Sequence, residues 1–330
     1  MIKKLLVSPF GWVIGLLLSL TICIAALFLG SIDAHSLLNS DIGHNILWNI
    51  RMPRVLLAFV VGASLSLAGV MIQSNVRNPL ADPSLIGVSA GAALGAALII
   101  VAAELLQVNA QYYIPLAAFV GGVLATVAVL KLGRSDLPGG MALLILAGIA
   151  INVVAASLIG LLTYLATDSA LRHITFWSLG SLASANYFWV VLCSIALLIV
   201  CMWLPRQHRK LDAILLGQAE ANTMGVDVKR LQKHSIVLVA LLAALAVSAC
   251  GIIGFIGLVT PHIGRMLVGA SHRYLLPLTF ILGGTLLVIA DGIARTIIAP
   301  AELPIGIVTA LLGAPVFIWL LVREGRRLQW

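Results

Sequence analysis

Few residues in this chain have the chemistry to do more than pack. The segment VIADGIARTI carries Asp291 with Arg295 four residues later. That spacing puts both on one helical face, where an Asp-to-Arg pair is favourable. An acid inside an apolar span is costly and usually functional, so Asp291 could couple a proton or sodium ion in a gradient-driven carrier. A structural ion pair near the outer end of its span explains the same two residues. IRMPR places Arg51 and Arg54 around Pro53, the natural start of a span. They either snorkel to headgroups or offer a basic contact to an acidic partner outside the membrane, with Arg295 as a third member. Arg172 and His173 stand beside Ile174, Phe176 and Trp177, so they either face a pathway or serve structure.

Other chemistries lack their residues. The dipeptide GK never occurs, so the chain cannot bind ATP through a P-loop. H-E-x-x-H and C-x-x-C are also missing, which leaves a metalloprotease or a redox enzyme without support. Cys23, Cys193, Cys201 and Cys250 have no metal-ligand spacing and read as small packing residues. No catalytic residue, metal or cofactor is expected.

The elements that hold these residues are membrane spans. The chain is 61% hydrophobic and 10% charged, with a mean hydropathy of +1.11. A span needs ~20 mostly apolar residues. Runs of that length lie near 10–30, 54–74, 84–103, 114–132, 141–163, 187–204, 276–298 and 305–322. The run 235–270 is too long for one helix and breaks at GIIGFIG, so it divides into two short spans. The first run exceeds a signal-peptide core and is kept as a span.

Charge supports ten spans and one orientation. Cytoplasmic loops carry the excess of Lys and Arg. With Lys3 and Lys4 inside, and Arg323, Arg326 and Arg327 inside at the other end, the number of spans is even. The inner loops then hold Arg77, Lys131, Arg134, Arg206, Arg209, Lys210, Lys229, Arg230, Lys233, Arg265 and Arg273. Only Arg51, Arg54, Arg172 and Arg295 lie outward. The net charge of +8 thus follows from topology and not from nucleic-acid binding.

Two stretches interrupt spans. In NPLADPSLIGVSAGAALG, Asn78-Pro79 makes an inner turn, Asp82 with Pro83 reads as a helix start, and Gly87, Gly91 and Gly95 make a close-packing face. GIIGFIGLVTPH, 251–262, mirrors it from the outer side. Interrupted segments at matching places of two halves (spans two to five and seven to ten) point to an inverted repeat and a transport pathway. Residues 205–234 form the largest polar interruption, inside, with Leu211, Ile214, Leu215, Ala219 and Met224 at helical spacings. They read as one or two short amphipathic helices, either a surface cover or a docking element. Residues 163–187 form a long outer loop.

These pieces together resemble the permease subunits of ATP-binding-cassette (ABC) importers for iron chelates, haem and vitamin B12, the FecCD-type or type II importers. The matching segments are IRMPRVLLAFVVGASLSLAGVMIQ, NPLADPSLIGVSAGA, LAGIAIN, FWSLGSL, GFIGLVTPHIGR, LLPLTFILGG, LVIADGIAR and ELPIGIVTALLGAPVFIWLL. The resemblance implies a single all-α permease domain over 1–330, ten-span and non-catalytic, in the bacterial inner membrane with both termini cytoplasmic. It implies a homodimer with a path along its two-fold axis, two cytoplasmic ABC ATPase subunits and a periplasmic substrate-binding protein. It maps the coupling helices onto 205–234, at Leu215, Leu216, Gly217, Glu220, Ala221, Met224, Gly225 and Val226. It maps the binding-protein contact onto Arg51, Arg54 and Arg295. Arg172, which could meet propionates, and its aromatic neighbours His173 and Trp177 lean the substrate toward haem over a ferric siderophore, with cobalamin third.

Overall fold

A computed structural model describes residues 8–30, 37, 39–109, 111–133 and 140–327. Lys3, Lys4 and Arg134, used above for topology, lie outside the described residues, as does Arg323 to Arg327 at side-chain level. In lipid every backbone amide must be satisfied within its own segment, so each apolar run closes into a helix. The helices are α1 (Pro9–Phe28), α2 (Asp41–Ile46), α3 (Met52–Val76), α4 (Val88–Leu105), α5 (Tyr113–Leu132), α6 (Gly140–Leu165) and α7 (Asp168–Ser178). They continue as α8 (Tyr187–Leu216), α9 (Gln218–Thr223), α10 (Val228–Cys250), α11 (Ile256–Val268), α12 (His272–Thr296) and α13 (Ile305–Arg327). Eight of the described helices are long and apolar enough to cross a membrane, and α11 and the apolar part of α13 are shorter. The 13 residues of α11 rise ~20 Å, short of the ~30 Å hydrocarbon core.

Three segments outside the expected spans carry more helix than the sequence pattern gave them. Residues 205–216 continue α8 past Pro205, and α10 starts at Val228, so the inner interruption shrinks to α9 and its flanking turns. The outer loop contains α7, started by Thr167, whose hydroxyl accepts from the Ala170 amide. Before α3, α2 and a π-helical turn at Leu47–Arg51 fill part of the stretch 31–53. All three segments are too polar to register as spans, yet each has a neighbour to pack on.

α3 forms the axis of the bundle and is buried along most of its length, whereas α1 and α6 turn broad apolar faces outward. Small residues let neighbours come close to α3: a methyl group on Gly69 would sit 1.8 Å from the Gly257 carbonyl oxygen of α11. Packing between the halves is reciprocal. α3 of the first half lies against α11 and α12 of the second, while α10 of the second lies against α4 and α5 of the first.

The two interruptions instead each rest on the last span of their own half. On the inner side, Pro83–Ile86 form a 3-10 turn started by Asp82, whose carboxylate accepts from the Ser84 amide at 2.8 Å. This turn rests on α6 at Gly148, where a methyl group would lie 1.8 Å from the Leu85 carbonyl oxygen. On the outer side, the break at 251–255 rests on α13 at Gly313, where a methyl group would lie 2.4 Å from Cβ of Phe255. An inverted repeat places its interruptions in this way.

Gly87, Gly91 and Gly95 divide their work. Gly91 and Gly95 face α5, where added methyl groups would lie 2.4 Å from the Gly121 and 2.2 Å from the Ala117 carbonyl oxygens. Gly87 instead ends the 3-10 turn at φ +79°, a left-handed conformation that a side chain would strain. Residues 87–91 also spell G-x-S-x-G, but a 3-10 turn and not a strand precedes them, so this is no nucleophile elbow. Among the described residues, no hydrogen bond joins Ser89 to a histidine.

Candidate functional site

Two sets of residues come together in these elements, an ionic cluster at the end that the charge pattern labels outer and a tip with a hydrogen-bond relay at the end that it labels inner. At the outer end, α3 brings Arg54 and α12 brings Asp291 and Arg295 to one point. The Arg54 guanidinium reaches Asp291 through Nη2 at 2.9 Å and Glu302 through Nη1 at 2.9 Å. Arg295 Nε holds the other Asp291 oxygen at 3.0 Å. Arg295 Nη2 also donates to the Ala26 carbonyl at 3.1 Å, and Arg51 Nη1 donates to the Leu27 carbonyl at 2.9 Å. A cavity of about 150 Å³ lies among them, lined by Arg51, Arg54, Arg295 and Glu302.

The three outward arginines therefore meet, but inside a shell. Arg51, Arg54 and Arg295 are only 5%, 6% and 7% exposed. Glu302 is the outward member, with its side chain 42% exposed. Asp291 sits between two guanidiniums, so its charge is compensated where burial would otherwise make it costly. Sequence spacing found the Arg295 partner. It missed Arg54, which reaches Asp291 and Glu302 across more than 200 residues of chain.

The residues read as pathway candidates do not converge. Arg172 and His173 are exposed on α7, while Ala170 and Ile174 bury its other face beside Ala97 and Ile100 of α4. His173 lines a cleft of about 610 Å³ with Glu104 and Ser169. Trp177 lines a different cleft, of about 520 Å³, with Trp189 and Ser248. Arg172 lines neither cleft.

At the inner end the chain makes a tight tip. Gly217 at φ +140° ends α8 and lets α9 turn away, and Gly225 at φ +80° leads into α10. The Glu220 side chain folds back over Gly217, close enough that a methyl group there would meet its carboxylate at 1.8 Å. Ala221 and Val226 are buried and seat the tip. Leu215, Leu216 and Met224 are 39%, 65% and 62% exposed beside the polar residues of this end of the bundle.

Behind this tip lies a relay that spacing did not reveal. Asp212 of α8 reaches His272 Nδ1 at 2.6 Å and accepts from the His272 amide at 2.9 Å. His272 Nε2 lies 2.6 Å from Ser74 Oγ of α3. Its members are spread over three helices, and only the LDAIL and SHRYL polar residues at span ends hint at it. Among the described residues, no group of three His, Cys, Asp or Glu is close enough to hold a metal ion.

An all-helical membrane bundle with an interrupted span at the matching place of each half has the architecture of a transport permease. The chain belongs to the FecCD transport family, which matches residues 13–323. It is 42% identical over 286 residues to the hemin transport system permease protein HmuU of Yersinia pestis, covering 86% of this chain and 85% of that one. It is 37% identical over 312 residues to the vitamin B12 import system permease protein BtuC of Vibrio cholerae, covering 94% and 92%. A solved metal-chelate type ABC transporter in an inward-facing conformation superposes with a TM-score of 0.87 at 32% identity, covering 96% of this chain and 100% of that one. The chain is therefore an ABC importer permease with the type II fold, and its relatives are permease subunits. That membership replaces the gradient-driven reading of Asp291, whose two arginine partners already account for it.

Proposed function

We propose that the chain moves haem across the bacterial inner membrane as a homodimer, served by two cytoplasmic ABC ATPases and a periplasmic binding protein. The observation that carries the haem assignment is the 42% identity to a hemin permease, against 37% for the B12 permease of Vibrio cholerae. Ferric siderophores and cobalamin are the competing cargoes. Both termini face the cytoplasm in this reading, because the basic residues gather at the inner ends.

The chain itself performs no chemistry. ATP binding in the partner moves the tip at Leu215, Leu216, Gly217, Glu220, Ala221, Met224, Gly225 and Val226 and biases a two-state bundle between outward- and inward-open forms. The exposure of Leu216 and Met224 supports this role. The outer cluster of Arg51, Arg54 and Arg295 receives acidic groups of the binding protein, which compete with Glu302 for Arg54. Arg172, His173 and Trp177 lie along the outer entry.

The test is uptake by proteoliposomes holding the permease and its ATPase, with the binding protein loaded in turn with haem, a ferric siderophore or cobalamin. ATP-dependent uptake of haem alone is expected. Uptake confined to a siderophore or to cobalamin overturns the cargo, and uptake without ATP overturns the coupling.

A further inference from the structure

A crevice of about 620 Å³ runs between α1, α8 and α12 at their inner ends. Its walls are apolar: Trp12 and Leu16 from α1, Leu204 from α8, and Leu276 and Phe280 from α12. Its polar groups gather toward the inner ends of the helices, where His208 and Arg273 line it. Val13, Leu17 and Leu20, on the same helix as Trp12 and Leu16, are exposed apolar side chains, as on a span that meets lipid.

Charge at this end is one-sided. Arg273 is exposed and lies 5.6 Å from the Tyr274 ring, and among the described residues no carboxylate pairs with it. Arg206, Arg209 and Lys210 stand on the same turns of α8 as His208, all with exposure to solvent. The nearest acid, Asp212, is committed to His272 and Ser271. Arg273 also stands in the first turn of α12, at the positive end of a 25-residue helix. An apolar bore with a cationic mouth at the cytoplasmic boundary has the polarity of a phospholipid, and basic pockets between spans on that side take anionic headgroups.

We propose that the crevice binds an anionic phospholipid of the cytoplasmic leaflet, phosphate on Arg273 and His208 and acyl chain along Leu204, Leu276 and Phe280. The orientation rests on the charge topology given above; the cargo plays no part in it. The site borders the Asp212–His272–Ser74 relay, because His272 also lines the crevice. Occupancy therefore braces α1, α8 and α12 where the tip joins the core.

Native mass spectrometry of the purified permease tests this, with phosphatidylglycerol and phosphatidylcholine of equal chain length supplied in separate samples. Phosphatidylglycerol is expected to be retained in preference. Arg273→Ala should weaken that retention about fivefold, the effect of one basic residue near an anionic surface, with no change in the melting temperature of the delipidated protein. Leu16→Trp, which narrows the crevice from its exposed edge, should reduce retention of both lipids. Equal retention of the two lipids, or undiminished phosphatidylglycerol on Arg273→Ala, overturns the proposal. If Leu16→Trp lowers the dimer content and leaves lipid retention intact, a second copy of the chain occupies the crevice, which also overturns it.

Discussion

His272 Nδ1 lies 2.6 Å from the Asp212 carboxylate, joining the first turn of α12 to the stretch of α8 that carries the inner tip. Its other ring nitrogen meets Ser74 of α3, so a shift of the tip is felt by the central helix through two hydrogen bonds. His272 is 1% exposed, which makes its partners hard to replace with water. Asp212→Asn is expected to keep ATP hydrolysis by the assembled transporter while lowering the substrate moved per ATP. Asp212→Glu should recover part of that ratio. Ser74→Ala removes the hydrogen bond to His272 and the one Ser74 donates to the Val70 carbonyl, and should cost about 1–3 kcal/mol of stability. An unchanged transport-to-hydrolysis ratio in Asp212→Asn would sink the relay.

Asp291 neutralises two buried guanidiniums at once. Asp291→Asn leaves Arg295 without a carboxylate and Arg54 with Glu302 alone, and should destabilise the protein by about 3 kcal/mol. Thermal unfolding in detergent reads this directly. Glu302→Gln removes a half-exposed partner and should cost about 0–1 kcal/mol. Uptake by either variant should remain indifferent to proton and sodium gradients; a gradient dependence in the parent that Asp291→Asn abolishes would restore the carrier reading.

The inner tip separates docking from folding by exposure. Leu216→Asp and Met224→Asp alter side chains that touch solvent, so the melting temperature should hold. Affinity for the ATPase subunit should fall about tenfold, as for an interface residue worth more than 1 kcal/mol. Ala221 is fully buried, and Ala221→Trp should instead lower stability. Pull-down of the ATPase by each variant distinguishes the two effects, and full binding by both aspartate variants would leave the tip a surface cover.

Gly69 has no room for a side chain because the Gly257 carbonyl occupies its place. Gly69→Val should push α3 and α11 apart and cost about 1–3 kcal/mol. Gly160, which faces open space, supplies the comparison: Gly160→Ala should leave the melting temperature within experimental scatter. Equal behaviour of the two variants would contradict the close packing of the central helix.

Local pattern was enough for the class, the ten apolar segments and the two interruptions, whereas the tip residues were assigned through the family resemblance. Hydropathy, proline and glycine punctuation and the inside bias of basic residues all act over one turn or one span, so they can be read in order along the chain. The Asp82 start and the Asp291–Arg295 pair are local features of this kind. Helical continuity at 205–216 and the short helix α7 were missed, because the few apolar residues that anchor them, Leu211 and Ile214 in one and Ala170 and Ile174 in the other, pack on residues far away in sequence. Packing between distant helices made the remaining assignments. It chose Arg54 as a second partner of Asp291, set Glu302 over it, and carried Ser74, Asp212 and His272 to one place. Each charge or hydrogen-bonding group could meet several others; in a medium without water the partner is whichever one the close approach of glycine-lined helices brings within about 3 Å.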